Sequence, residues 1–235
     1  MAGLSVAENL KNLKARIAEV ARESGRDPES VHILGVGKRQ PLNKIREAYE
    51  SGLRDFAENY VQEALPKLEQ LHSLPARWHF IGRLQSNKVK LLARRFAVIH
   101  SLDRVSLAEA LNRLPHVDRQ DVFLQYNVAA EASKGGAGDD ELFALAQYVF
   151  EKCPKLRVLG LMSMPPLDAL ARQHFRKTRE RLEELKRSVS PSVREAHPLD
   201  QLSMGTSQDF ADAIREGATW IRIGTDLFGA REEKE

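Results

Sequence analysis

The sequence predicts an α/β fold, a single closed (β/α)8 TIM-type barrel with an extra N-terminal helix. Three observations predict it. Eight short apolar runs of buried-strand type recur along the chain, and segments with the spacing of amphipathic helices separate them. Strands separated by helices pair in parallel through right-handed crossovers. The length, 235 residues, is what eight such units need, with no linker or shift in composition to mark a second domain. An open doubly wound sheet is the alternative architecture, and it requires a switch point that the sequence does not display. One domain is therefore expected over residues 1–235, with residues 1–30 forming a helix packed outside the barrel.

The first helix has an apolar stripe of Val6, Leu10, Leu13, Ile17 and Val20. Ser5 and Glu8 stand as a capping box at its start, and Gly25 stops it. VHILGVG, from Val31, is the first strand; Pro41 then opens a helix carrying Leu42, Ile45 and Tyr49. LRDFAEN, from Leu53, is the second strand, followed by a helix with Val61, Leu65, Leu68 and Leu71. WHFIG, from Trp78, is the third, before a basic helix through Lys88 and Leu92. FAVIHS, from Phe96, is the fourth, and Asp103 is expected to cap the helix of Leu107, Leu111 and Leu114. DVFLQYNV, from Asp121, precedes a loop, AAEASKGGAG, and a helix opened by Asp139 and Asp140. The glycines of that loop suggest mobility, and its place after a strand puts it over the barrel mouth. LRVLGLMS, from Leu156, leads to a long helix through Leu182 and Leu185. LDQLSMG, from Leu199, leads to a helix through Phe210 and Ile214, and ATWIRIG, from Ala218, is the last strand.

Composition narrows the function classes. Hydrophobic residues make up 42% and charged residues 29%, the balance of a soluble globular protein. The one cysteine, Cys153, excludes an internal disulfide framework and a cysteine-rich metal cage. No apolar run is long enough to span a membrane, and the N-terminus lacks a signal-peptide stretch. A reducing, cytoplasmic home is expected. A net charge of +3, with the signs interspersed, is not a nucleic-acid footprint but is compatible with small anionic ligands. The seven histidines show no metal-binding spacing, and no GxSxG elbow is present.

A barrel of this type carries its chemistry in the loops after its strands. Strand alternation puts His32, Leu34, Val36 and Lys38 on one side, so Lys38 stands at the mouth if that side faces the axis. A desolvated lysine there can form a Schiff base; a solvated lysine at a strand end is the plainer alternative. SMGTS, Ser203 to Ser207, and RIGTDLFG, from Arg222, follow strands seven and eight, where such barrels hold phosphates. Gly205, Gly224 and Thr225 leave the backbone approachable, and Ser207 is placed to cap a helix, whose N-terminus attracts anions. Arg222 lies inside an apolar strand, either paired with an acid such as Asp55 or Glu58 or aimed at a ligand. Strands two and three end in a polar set: Glu58, Asn59 and Tyr60, then His79, Gly82, Gln85, Ser86, Asn87 and Lys88. Asn59 and His79 could orient a ligand, while capping is the simpler role of Ser86.

The segments GVGKRQP, FAENYVQEALPK, WHFIGRLQSNK, GLMSMPP, LSMGTSQDFADAI and WIRIGTDLFGAR, with the Lys-Gly-Gly loop at Lys134, run nearly end to end. Together they resemble the pyridoxal-phosphate homeostasis proteins, whose barrel is related to the N-terminal domain of alanine racemase. The resemblance implies a non-catalytic protein of vitamin B6 and amino-acid homeostasis, holding pyridoxal 5′-phosphate as a Schiff base on Lys38. It implies phosphate binding at Ser203, Gly205, Ser207, Gly224 and Thr225, with Arg222 facing the ring nitrogen; Asn59 and His79, from the polar set above, are expected to join them in the cofactor site. It further implies a cytoplasmic monomer with apo-forms of pyridoxal-phosphate-dependent enzymes as candidate partners, and neither nucleic acid nor membrane among them. The alternative is a racemase-like enzyme on the same barrel, for which no second domain is evident. The chain departs from many members at Gly37, where they have serine, at Gln40, where they have a basic residue, and at Thr206.

Overall fold

Strand and helix periods alternate along the chain, and the computed structural model, which describes residues 4–115, 117–131, 134–168 and 170–230, turns that alternation into a barrel. Helix α1 (Val6–Glu23) opens with the reciprocal Ser5–Glu8 capping box and buries Val6, Leu10, Leu13, Ile17 and Ala21. It packs on the outside, against α2 (Leu42–Glu50), α8 (Phe210–Arg215) and α9 (Thr225–Phe228). Between them run β1 (His32–Val36), β2 (Asp55–Glu58), α3 (Val61–Gln70) and β3 (Arg77–Phe80). Then come β4 (Val98–Leu102), α4 (Val105–Asn112), β5 (Gln120–Tyr126), α5 (Asp139–Lys152), β6 (Leu156–Ser163) and α6 (Ala171–Ser188). The last part holds α7 (Pro191–Ala196), β7 (Gln201–Thr206), α8, β8 (Trp220–Ile223) and α9.

All eight predicted strands are present, each parallel to its neighbours, in the closed order β1-β2-β3-β4-β5-β6-β7-β8. Closure is made by β1 against β8, with Leu34 opposite Arg222 and Gly35 opposite Ile223. One face of the strands packs outward under the helices in a continuous apolar layer that includes Phe56, Phe80, Ile99, Leu124 and Ile221. The other face fills the barrel with Leu34, Val36, Ala57, Val98, Phe123, Leu159, Met162 and Trp220. Polar side chains share this interior: His79, His100, Ser203 and Arg222 are all buried. Gly160 is required where β6 meets β7, since a Cβ there would lie 1.8 Å from the Gln201 carbonyl oxygen.

Several local expectations are corrected. The basic segment after β3 is a 3-10 helix, Ser86–Leu91, rather than an α-helix. Ser86 does not cap it; the N-cap is Gln85, and the Ser86 hydroxyl accepts from Arg104. Asp103 is not the cap of α4, whose N-cap is Arg104; its carboxylate pairs with the Arg104 guanidinium instead. In α3 the buried side holds Val61, Ala64 and Lys67, with Leu65 and Leu68 only partly covered. The reason is an inward ion pair made by Lys67. The short helices α7 and α9 carry too few residues to show a period. His116, Ala132, Ser133 and Ala169, with residues 1–3 and 231–235 of the predicted terminal segments, lie outside the described residues.

Candidate functional site

A cavity of about 610 Å³ opens where the strands end. Lys38, Asn59, Ser207, Arg222, Gly224 and Thr225 line it, so six of the nine predicted contact residues converge there. Gly205 lines a smaller apolar slot of about 280 Å³ that shares Lys134, Met164, Thr206 and Arg222 with the main cavity. His79 and Ser203 do not line the cavity: both are fully buried inside the barrel. They stand behind Arg222 instead, inside their strands, since β3 runs on to Phe80 and β7 to Thr206.

Lys38 follows β1 on a tightly fixed turn. The Gly37 N–H donates to the Ala57 carbonyl, and Gln40 N–H closes back on Gly37 at 3.0 Å. Arg39 has φ +57, a left-handed conformation, and its N–H is held by the Glu63 carboxylate. Beneath the turn, Lys67 Nζ donates to the Gly37 carbonyl at 2.6 Å and to Glu58 and Glu63 at 2.8 and 2.7 Å. Burial pushes the Glu58 carboxyl up to about 7 against the opposing pull of Lys67, with the like charge of Glu63 adding to the rise. The amine of Lys38 is thus carried by a turn that hydrogen bonds pin on both sides.

Arg222 forms the cavity floor. It pairs with neither Asp55 nor Glu58; its NH1 donates to the Ser203 carbonyl at 2.6 Å and to Ser203 Oγ at 3.1 Å, and its NH2 donates to the Ser163 carbonyl at 2.9 Å. Desolvation lowers its pKa to about 10, which leaves it charged at neutral pH. A guanidinium buried among carbonyls and a hydroxyl offers its remaining N–H groups only as donors.

The far side of the cavity is made of small hydroxyl residues and glycine. Thr206, Ser207, Gly224 and Thr225 lie together. A Cβ on Gly224 would meet only Val36, at 3.9 Å, so the missing side chain leaves the backbone approachable from the cavity. Nearby acids are already engaged: Asp209 accepts from Thr206 N and Oγ1, and Asp226 pairs with Arg16. Ser207 does not cap α8, whose N-cap is Asp209; its Oγ accepts from the Asp226 N–H instead. A hydroxyl-lined recess beside a charged guanidinium, whose Asp226 is paired to Arg16, is suited to an anion.

Tyr126 and Asn127, from the end of β5, and Met162, from β6, complete the wall and were not singled out as ligands by their sequence context. The glycine loop does reach the mouth. Lys134 and Gly135 line the cavity, Gln125 Nε2 bonds the Gly135 carbonyl, and Lys134 pairs with Glu131. The Asn59 side-chain oxygen is buried without a hydrogen-bond partner, and Asn59 does not cap α3. Among the described residues no cluster of histidine, cysteine and carboxylates could hold a metal ion, and no helix is long and apolar enough to cross a membrane.

The family model of the alanine racemase N-terminal domain matches residues 8–232. A pyridoxal phosphate homeostasis protein of Pseudomonas aeruginosa is 47% identical over 97% of this chain and 96% of its own length. One from Aquifex aeolicus is 42% identical, covering 97% of this chain and all of the relative. This chain belongs to the pyridoxal phosphate homeostasis protein family. Its fold is that of solved members: PipY of Synechococcus elongatus with pyridoxal phosphate bound superposes with a TM-score of 0.81, at 35% identity, over 96% of this chain and 100% of that one. Alanine racemase from Corynebacterium glutamicum shares the fold alone, at 12% identity and a TM-score of 0.64, and this chain spans 61% of it.

Proposed function

We propose that this protein holds pyridoxal 5′-phosphate as a Schiff base on Lys38 and serves vitamin B6 and amino-acid homeostasis as a carrier without turnover. The observation that carries the reading is the convergence, on one cavity, of a lysine amine, a donor-only guanidinium and a hydroxyl-and-glycine recess. These three suit the three reactive ends of the cofactor. The chemistry the cofactor supplies is an electrophilic aldehyde on an electron-poor ring. Lys38, on its pinned turn, provides the amine. Arg222 donates to a ring-nitrogen acceptor and, being unable to take up a proton, keeps that nitrogen unprotonated. Ser207, Gly224 and Thr225, with Gly205 behind them, take the phosphate, and Asn59 stands at the edge of the site.

A guanidinium facing the ring weakens the electron sink that amino-acid chemistry on this cofactor requires, which supports a holding rather than a converting role. The relatives' name, a homeostasis protein, supports the same role. We place the protein in the cytoplasm as a monomer, with apo-forms of pyridoxal-phosphate-dependent enzymes as recipients or donors of its cofactor.

Borohydride reduction of cofactor-loaded protein followed by peptide mapping tests the assignment. The pyridoxyl mass is expected on Lys38, and Lys38→Ala is expected to lose the visible absorption band. A stoichiometric adduct elsewhere, with Lys38 unmodified, would overturn the site. Sustained racemisation or transamination of common amino acids, abolished by Lys38→Ala, would replace the carrier with a racemase-like enzyme.

A further inference from the structure

A line of side chains crosses the barrel interior from the half-buried Asp55, at the start of β2, to Arg222 at the cavity floor. His79 Nε2 lies 3.1 Å from Asp55 Oδ1, and His79 Nδ1 lies 2.9 Å from His100 Nε2. His100 Nδ1 lies 2.9 Å from Ser203 Oγ, which Arg222 NH1 reaches at 3.1 Å. Both histidine side chains are fully buried. His79 is held against Trp220 and His100 is stacked on Phe123, at centroid distances of 5.0 and 4.4 Å.

The two ends settle the direction of every bond between them. Arg222 has only donors, and the Asp55 carboxylate has only acceptors. Arg77 Nε, 2.7 Å from the same Asp55 oxygen, favours the ionised carboxylate. Starting from Arg222, NH1 donates to Ser203 Oγ, and the hydroxyl hydrogen goes on to His100 Nδ1. His100 Nε2–H then donates to His79 Nδ1, and His79 Nε2–H donates to Asp55. Both rings are neutral Nε2–H tautomers. The opposite pair of tautomers would set the His79 Nε2 lone pair against the carboxylate at 3.1 Å. It would also aim the His100 Nδ1–H at a hydroxyl already receiving Arg222. Burial, which disfavours the imidazolium, lowers the pKa of both histidines and agrees with neutral rings. Bonds aligned head to tail polarise one another, so such a line is stiffer than its separate links.

We propose that Asp55, His79, His100 and Ser203 are positioning residues, a one-way hydrogen-bond relay that turns the Ser203 lone pair toward Arg222 and fixes the guanidinium at the cavity floor. Its effect on binding rests on the cofactor reading above; its polarity does not.

The test has two arms, both on the full chain. Long-range 1H–15N spectra of the cofactor-free protein at pH 7, assigned by loss of signals in His79 and His100 variants, should show both rings as neutral Nε2–H tautomers. An Nδ1–H tautomer or an imidazolium at either ring overturns the relay. The second arm measures pyridoxal phosphate affinity and the absorption maximum of the bound form. Ser203→Ala and His100→Leu should weaken binding about tenfold and shift the maximum. His100→Gln, whose Oε1 can accept from Ser203 and whose Nε2 can donate to His79, should restore both to within about threefold. Unchanged affinity and spectrum in Ser203→Ala, with the wild type binding normally, overturns the positioning role and leaves the cofactor site standing. A wild type that binds no pyridoxal phosphate overturns the cofactor reading, and with it the effect on binding, while the spectra still decide the polarity.

Discussion

Lys67 Nζ, reaching back from α3, lies 2.8 Å from Glu58 Oε1 directly beneath the turn that carries Lys38. This pair is buried, with Glu58 at 0% exposure, and its second oxygen has no hydrogen-bond partner. The structure therefore holds a carboxyl for which loss of a proton is costly, next to the residue on which the proposed function turns.

Glu58 should make stability depend on pH in a definite direction. Its folded pKa is raised to about 7 from an ordinary 4.5. A raised carboxyl favours the folded state below the unfolded pKa, and that contribution is lost as pH rises through about 7. Urea unfolding between pH 4.5 and 7 should show wild type losing stability relative to Glu58→Gln, with a slope approaching about 1.4 kcal/mol per pH unit. Parallel curves for the two proteins would show that Glu58 ionises normally.

Gly224→Ala should separate binding from folding. The added Cβ meets only Val36, at 3.9 Å, and the φ of −108° suits alanine. The melting temperature should stay within a few degrees of wild type, while phosphate-bearing ligands bind roughly tenfold or more weakly. Gly82→Ala is the contrast. Its Cβ would fall 1.8 Å from the Asn59 carbonyl oxygen, so the chain must move and both stability and affinity should drop. Equal affinity for wild type and Gly224→Ala would remove that glycine from the phosphate recess.

Asp139 ties the cavity wall to α6. It accepts from Tyr126 Oη at 2.5 Å, from Lys177 at 2.9 Å and from Arg181 at 2.9 Å. Burial would raise its pKa, but these donors hold it down to about 2. A lowered carboxyl stabilises the fold above its unfolded value near 3.8 and loses that effect as pH falls through about 2. The side chain is 42% exposed, so the effect is screened. Asp139→Asn should cost about 1 kcal/mol or less at pH 7. The gap from wild type should close as pH approaches 2; a gap independent of pH would mean that packing, not charge, is what Asp139 provides.

The strands were legible because parallel barrel strands are buried on both faces and so read as unbroken apolar runs, VHILGVG and LRVLGLMS being the clearest. The positions of Lys38 and Arg222 followed from alternation along single strands. Pairings between strands did not. Lys67 sits on a helix whose leucines point to a different apolar stripe, and it turns inward to the Gly37 carbonyl and to Glu58, partners that only the fold brings to it. Asp55, His79, His100, Ser203 and Arg222 come from five strands, β2, β3, β4, β7 and β8, and no spacing in the chain foretells their contact. In the sequence His79 stands alone near a strand end, as a ligand residue would, and only the fold brings the His100 ring against its Nδ1.

Lys38 follows the first strand of the barrel and Arg222 lies in the last, and these two strands pair from His32 opposite Trp220 to Gly35 opposite Ile223, with Leu34 opposite Arg222. Contacts between such distant parts of a chain carry a high loop-closure cost and form slowly. A ligand that needs both residues is thus a sensor of completed folding. A nascent or truncated chain lacking β8 has the amine but not its counterpart, and cannot capture the aldehyde in the same environment. On the proposed reading, in which the cofactor engages both Lys38 and Arg222, its capture in that environment would serve as a checkpoint on chain integrity, complete only after the barrel has shut.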